Sequence, residues 1–477
     1  MRNYLKFYID GKWVDPASPK TMDVENPATE AVSGQISLGS AEDVDRAVKA
    51  ARKAFPSWSQ SSREERLELL GNIMAEYENR AGDMADAIRD EMGAPDALAN
   101  GYQYGLGAAH LGTTIEVLKK FEFESMRGDT KIVKEPIGVC GLITPWNWPI
   151  NQIAVKVCPA LATGCTMILK ASEVAPYSAQ VFSEIMDTAG VPAGVYNMIQ
   201  GDGLGVGAAI SGHPDIDMVS FTGSTRAGIE VAKSAAVSVK RVCQELGGKS
   251  PNIILDDDAL PANIAASVEQ MMLNSGQSCN APSRMLVPAA RMDDAMSAAK
   301  TATEAVTVGD PQGDAAIGPV VNGAQFKKIQ GLINKGIDEG ATLVAGGPGR
   351  PEGLDKGYYV KPTVFANVTN DMTIAREEIF GPVMTMIAYQ DIDEAIEIAN
   401  DTEYGLAGYV RGADIETARA VGRKIRAGSI SINGSLDFSA PFGGYKQSGN
   451  GREWGEFGFD DYLEIKAIQG YVATPVA

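Results

Sequence analysis

Between Ile137 and Leu255, short apolar runs alternate with stretches of helical periodicity, and this rhythm narrows the possible folds more than any other feature of the chain. The runs Ile137–Ile143, Thr166–Leu169, Tyr196–Ile199, Asp217–Phe221 and Lys240–Leu246 are predicted strands. Helices are predicted between them, near Gln152–Ala162, Ser178–Ala189, Gly205–Ser211 and Ser224–Ala236. Parallel strands need a crossover of a dozen or so residues, usually a helix. The rhythm therefore predicts an open parallel α/β sheet with its ligand at the strands' carboxyl ends. A second run follows Gly276, with strands near Met285–Val287, Gly408–Arg411 and Ser429–Ile432. Its helices fall near Gly323–Glu339, Ile392–Asn400 and Ile415–Ile425, which predicts a second α/β domain.

The flanking segments are simpler. Ser40 with Asp43 forms a capping box for a helix carrying Val44, Ala47, Val48, Ala51 and Phe55. Ser62 with Glu65 opens a longer helix reaching Gly93, and a third helical stretch runs from Asp96 to about Lys119. Phe121 to Glu135 alternates apolar and polar residues as an exposed antiparallel hairpin does. Asp461–Val472 alternates again and reads as a lone edge strand that needs a partner.

Composition removes several function classes. A chain of 477 residues is long enough for two or three separate cores. Its 61 acidic and 42 basic residues give a net charge of -19, which argues against nucleic acid and anionic membrane as partners. No apolar run approaches the ~20 residues of a membrane span. Lys6, Asp10, Lys12 and Asp15 interrupt the N-terminus, so no signal-peptide core is expected there. The two histidines, His110 and His213, read as structural or solvated, so no metal site of the His-rich kind is expected. Five cysteines, odd in number and without a Cys-x-x-Cys pair, suit a reduced, cytoplasmic setting.

Chemistry concentrates between Gln244 and Arg284. Glu245 sits at the end of a predicted strand, before Gly247 and Gly248. Cys279 follows a predicted helix, Pro261–Asn274, in a Gly276-Gln277-Ser278 loop that would expose it. A thiol on a loop and a carboxylate at a strand end are the parts of a nucleophile-and-base site. A lone cysteine also reads as a small buried hydrophobe. Gly203 to Ala208 matches the Gly-x-Gly-x-x-Gly/Ala fingerprint but lacks the acidic residue expected downstream. Phe221-Thr222-Gly223-Ser224-Thr225 is the better phosphate candidate, with a helix N-terminus and the Ser224 hydroxyl available. The same residues read equally as a plain N-cap. Lys170 and Glu173 suit a ribose diol or a solvated ion pair. Pro145-Trp146-Asn147-Trp148-Pro149 is a rigid loop, presenting the Asn147 amide to an oxyanion or simply packing its aromatics.

Taken together, these motifs resemble the aldehyde dehydrogenase superfamily, NAD(P)-dependent enzymes. The resemblance runs from Phe7–Trp13 to Pro441–Gly449. It is most specific at Pro145–Pro149, Phe221–Thr225, Glu245–Lys249, Gly276–Cys279 and Glu377-Glu378-Ile379-Phe380-Gly381-Pro382. It implies a Rossmann-like cofactor domain (1–118 and 138–246), a second α/β catalytic domain (247–445) and a β-strand oligomerisation arm (119–137 and 461–477). It also implies Cys279 as nucleophile, Glu245 as the base for a deacylating water, and Asn147 with the Cys279 backbone N–H at the oxyanion. Lys170 and Glu173 would hold the adenosine ribose, and Ser224 with Gly223 the pyrophosphate. Trp146, Glu378 and Phe380 would lie at the rest of the cofactor, NAD or possibly NADP. The implied partners are a small aldehyde and further copies of the chain, in a dimer or tetramer.

Rival readings are a CoA-acylating semialdehyde dehydrogenase, which typically lacks the base, a cysteine hydrolase or acyltransferase, and a non-catalytic scaffold. Trp148, Gln244 and Met272 depart from the family's usual residues and bear on the acyl pocket. Val155, smaller than the aromatic often found there, suggests room for a bulky or aromatic aldehyde.

Overall fold

The computed structural model describes residues 1–472, so the last five residues of the predicted arm, 473–477, lie outside the described residues. Two large sheets dominate. The first has eight strands, in spatial order Gly449–Asn450, Arg241–Glu245, Met218–Thr222, Val139–Ile143, Thr166–Lys170, Tyr196–Met198, Phe7–Ile9 and Lys12–Val14. The five strands from Arg241 to Met198 in that order are parallel, and antiparallel strands close both flanks. Alternation along these strands feeds two apolar layers. Cys140, Leu142, Met167, Leu169 and Met218 pack on one face. Val139, Ile143, Ile168, Val219 and Phe221 pack on the other. A parallel sheet covered on both faces has this pattern because successive side chains point to opposite sides.

The second sheet has seven strands, ordered Thr342–Ala345, Thr363–Ala366, Val383–Tyr389, Arg284–Pro288, Pro251–Ile254, Ala407–Arg411 and Ser429–Ile432. All but the first are parallel. Four of the seven, Pro251–Ile254, Thr342–Ala345, Thr363–Ala366 and Val383–Tyr389, were not predicted from periodicity. Val383–Tyr389 reads Val-Met-Thr-Met-Ile-Ala-Tyr and is buried at all but one position. A short apolar run buried on both faces carries no period to distinguish strand from helix.

Both predicted capping boxes form. The long second helix does not. It breaks at Arg80 into Arg63–Asn79 and Ala81–Met92, and Gly93 ends the second piece at φ 72°. At the break Arg80 pairs locally with Asp83 and, at 2.8 Å, with the distant Glu184, so one of its two ion pairs is tertiary. The third helix opens with a π-turn, Leu98–Gln103, before Tyr104–Lys120. Such turns often occur at functional sites, and this one aims Gln103 at the loop carrying Asn147.

The predicted hairpin is Glu124–Arg127 paired with Thr130–Pro136. The C-terminal strand Leu463–Ile468 is not left alone: it pairs antiparallel with Thr130–Pro136, in register from Leu463–Pro136 to Ile468–Lys131. The resulting three-stranded sheet leaves Met126, Ile465 and Ile468 exposed. Among the described residues no helix is long and apolar enough to cross a membrane.

Candidate active site

In chain order, the five parallel strands of the first sheet lie fifth, fourth, first, second, third. The order reverses between Val139–Ile143 and Met218–Thr222, where the outgoing loops diverge and open a crevice. Trp146 and Asn147 follow one of these strands, and Gly223 and Ser224 follow the other. Lys170 ends the next strand outward, and Glu245 ends the strand on the far side. The Gly203–Ala208 fingerprint instead follows Tyr196–Met198, two strands from the switch point. There it forms a π-turn whose Gly205 N–H is already capped by Asp202 at 2.6 Å.

The second sheet meets this crevice with the N-terminal ends of its strands. Cys279 precedes Arg284–Pro288, and Glu378 and Phe380 precede the neighbouring parallel strand Val383–Tyr389. The segment joining Glu245 to the second sheet passes against Cys279 so closely that a Cβ on Gly248 would lie 2.2 Å from the Cys279 carbonyl oxygen. Only glycine allows that approach. Gly276, at φ 70°, would likewise place a Cβ 2.1 Å from the Gly381 carbonyl, so the loops of Cys279 and Phe380 touch backbone to backbone.

Strain is stored beside the thiol. Asn274 and Ser275 both adopt left-handed backbone, at φ 55°, in the turn that ends the helix Leu260–Met272. Two such residues cost roughly 1–3 kcal/mol each. Side-chain bonds hold them there. Asn274 donates to the Asn147 carbonyl at 2.9 Å, and Ser275 to the Gly318 carbonyl at 2.8 Å. Gln103 donates to the same Asn147 carbonyl at 3.2 Å. Asn147 Nδ2 donates to the Gln277 carbonyl at 3.0 Å, which leaves its second hydrogen free. Trp148 Nε1 donates to Ser278 Oγ at 2.7 Å, tying the asparagine loop to the cysteine loop.

The predicted cofactor residues are arranged along the same crevice. Lys170 Nζ and Glu173 pair at 2.7 Å, with the lysine buried and the glutamate half-exposed. Ser224 is the N-cap of Thr225–Ala236 and accepts from the Ala227 N–H at 3.3 Å. The plain-cap reading of Ser224 is therefore realised, and its hydroxyl hydrogen stays available. Glu378 accepts from the Gly248 N–H at 2.9 Å. Trp146 and Phe380 meet edge to face at 5.3 Å.

Glu245 is 2% exposed, and neither of its oxygens has a hydrogen-bond partner among the described residues. Burial first, and the nearby Glu453 carboxylate second, push its carboxyl well above the usual range, against the opposing effect of Lys156 and Arg452. Lys156 is itself committed, donating to Glu453 and, at 2.9 Å, to Ser220. The half-buried Cys279 thiol is also pushed up, by burial and then by the charges of Glu378 and Glu245. The charge of Glu245 thus helps to keep the Cys279 thiol protonated.

The family model described as "Aldehyde dehydrogenase family" matches residues 13–468. The chain belongs to the aldehyde dehydrogenase family. A 3-succinoylsemialdehyde-pyridine dehydrogenase from Pseudomonas sp is 54% identical over 474 residues, covering 99% of both chains. Among solved structures, aldehyde dehydrogenase C from Pseudomonas syringae, a cysteine-to-alanine mutant complexed with NAD+ and octanal, superposes with a TM-score of 0.98. It is 51% identical, over 99% of this chain and 98% of that one. Betaine aldehyde dehydrogenase from Staphylococcus aureus, complexed with NAD+, has a TM-score of 0.94 and 37% identity, over 99% of this chain and 96% of that one.

Within this aldehyde dehydrogenase a cavity of about 510 Å³ leads to Cys279. Trp148 lines it, together with Tyr102, Leu106, Phe438, Phe442 and Trp454. Val155 does not. It is buried in the helix Pro149–Thr163, which turns Asn151 and Gln152 toward the cavity instead. Val155 therefore gives no basis for a roomier pocket. Met272 lies in the core of the second sheet, and Gln244 donates to the Gly228 carbonyl, so neither lines the cavity. Sequence reasoning missed Gln103 and Asn274, which hold the Asn147 carbonyl, and Lys156 and Glu453, whose charges act on Glu245.

Proposed function

We propose that the enzyme oxidises an aldehyde to its carboxylic acid with NAD, through a thioester on Cys279 that water hydrolyses. What supports this reading above all is Glu245, buried without a hydrogen-bond partner among the described residues, beside a cysteine that needs a base. Sγ of Cys279 adds to the aldehyde carbon, and its proton passes to Glu245. The new oxyanion faces the free Asn147 amide hydrogen and the Cys279 backbone N–H, donors already fixed before reaction. The dinucleotide supplies the hydride acceptor when bound. Once that proton has passed to solvent, Glu245 takes another from the water that attacks the thioester, and it returns this proton to the departing Cys279 sulfur as the acid is released.

The crevice fits a dinucleotide. Its buried Lys170 ammonium, the α-helix N-terminus at Ser224 and the Trp146–Phe380 edge follow one another along the strands' carboxyl ends. In this reading Lys170 and Glu173 hold the adenosine ribose, Gly223 and Ser224 the pyrophosphate, and Glu378 and Phe380 the nicotinamide half. Residues 1–118 and 138–246 form the cofactor domain and 247–445 the catalytic one. An assay for NADH formation with an aldehyde panel, with and without CoA, tests the assignment. Turnover that requires CoA would overturn it.

NAD is expected to be preferred over NADP. A 2′-phosphate beside Glu173 brings like charges to about 4 Å, an upper-limit repulsion of roughly 4 kcal/mol per charge pair at an effective dielectric near 20. Lys170, already paired with Glu173, offsets part of this, so the expected preference is moderate. Specificity constants for both cofactors check it, and an NADP value equal to or above that for NAD would refute the placement of Glu173.

The arm, 119–137 and 461–477, is proposed to pair between subunits of a dimer or tetramer. Its outer strand Glu124–Arg127 is exposed throughout, and an open strand edge invites pairing. A chain ending at Glu464 is expected to give smaller species by light scattering. Full-length protein that is monomeric at micromolar concentration would refute the arm. A reduced cytoplasmic setting suits the five free cysteines.

A further inference from the structure

The cavity that leads to Cys279 has one wall unlike the rest. Tyr409 and Arg411 project from the same face of the strand Ala407–Arg411, and on the neighbouring strand Ser431 lies opposite Tyr409 and Ser429 opposite Ala407. Tyr409 marks the reactive end, because its hydroxyl donates to the carbonyl of Asn280 at 2.7 Å. Arg411 lies two residues further on, about 6–7 Å along the strand. Leu106, Trp148, Phe438, Phe442 and Trp454 supply apolar lining.

Arg411 is 8% exposed and has no carboxylate within ion-pair distance among the described residues. Its one hydrogen bond among the described residues is from Nη2 to Gln270 Oε1 at 2.7 Å. Nε is buried without a partner, and Nη1 makes no hydrogen bond among the described residues. Gly434, in left-handed backbone at φ 79°, packs close to the guanidinium without supplying a side chain to it: an added Cβ would sit 3.5 Å from Nη2. Glu269 and Asp437 also line the cavity, but on its exposed rim. Glu453 is neutralised by Lys156. A buried guanidinium without a counter-ion is costly, and proteins pair such groups.

We propose that Arg411 is a specificity-determining residue that binds a carboxylate at the far end of the substrate, so that the preferred substrates are ω-carboxyl aldehydes. The proposal rests on the aldehyde dehydrogenase reading above and deepens it. The planar fork of Nη1 and Nη2 matches a carboxylate, whose single charge one arginine balances. A phosphate dianion would need further donors. The apolar lining then holds the methylene spacer between the two ends.

The test compares ω-carboxyl aldehydes with n-alkanals of equal length, in wild type, Arg411→Met and Arg411→Lys. At the best-fitting length, wild type is expected to favour the carboxylated substrate at least tenfold in kcat/KM. Arg411→Met is expected to abolish that preference through KM, and Arg411→Lys to keep part of it. A tenfold effect corresponds to about 1.4 kcal/mol. Calorimetric binding of the dicarboxylic acid product gives a readout independent of turnover, and Arg411→Met is expected to weaken it at least tenfold. A wild-type ratio near one at every length, or a ratio and product affinity unchanged in Arg411→Met, overturns the proposal. Oxidation of alkanals without that preference leaves the dehydrogenase reading standing. Failure to oxidise any aldehyde while the dicarboxylate still binds through Arg411 sinks the dehydrogenase reading and leaves the anion site standing.

Discussion

Glu245→Gln is expected to release a burst of NADH near one equivalent per active site and then almost stop. The carboxylate is needed to activate water against the thioester, after the hydride has left. Glutamine keeps the size but cannot accept a proton, and losing a general base typically costs about 10² to 10⁴ in rate. Because Glu245 is also proposed to take the thiol's proton, the burst is expected to be slower than in wild type. Stopped-flow absorbance with aldehyde and excess NAD separates the phases, and full steady-state turnover by the mutant would remove Glu245 as the base. The pH dependence follows from the raised carboxyl. Below that raised value Glu245 holds its proton and cannot act, so wild-type deacylation rises with pH through it. Stability runs the other way. A carboxyl whose folded pKa exceeds its unfolded value, about 4.3, contributes stability that is lost as pH rises through the folded value. Glu245→Gln is therefore expected to raise the melting temperature at alkaline pH and to change it little in acid.

Cys279→Ala is expected to abolish oxidation, to below about a thousandth of wild type, since removing a key catalytic group commonly costs that much or more. NAD binding should survive, because the thiol bonds to the substrate and not to the dinucleotide. Truncation leaves the loop intact. Gly248 packs on the backbone carbonyl of residue 279, and the neighbouring carbonyl that Tyr409 holds belongs to Asn280. Normal NAD affinity by calorimetry with no NADH formed is the expected pair of results. Residual activity above that threshold would transfer the nucleophile's role elsewhere.

How far the chain was legible depended on the range of the signal. The five parallel strands of the first sheet were readable because each is an apolar run next to a helix of period 3.6, a pattern confined to about thirty residues. Both capping boxes formed for the same reason: three residues suffice. Arg80 shows the opposite case, since the helix it breaks is continuous in local propensity and Glu184 lies 104 residues away. Three of the four unpredicted strands of the second sheet, Pro251–Ile254, Thr363–Ala366 and Val383–Tyr389, are buried on both faces, which erases alternation.

The amino-acid sequence determined the inventory: which loops leave which strands, the thiol of Cys279, the carboxylate of Glu245, and the glycines that bracket both. Motif order sufficed for the family. Only the tertiary structure decided what those groups experience. It placed the reversal of strand order beside Asn147 and Gly223 and set the N-terminal edge of the second sheet against the carboxyl edge of the first. It also buried Glu245 beside Glu453, pinned the Asn147 carbonyl with Gln103 and Asn274, and left Arg411 without an anion. The physical reason is range. Periodicity, capping and turn chemistry act over a few residues, whereas desolvation and Coulomb interaction depend on atoms brought together from anywhere in the chain.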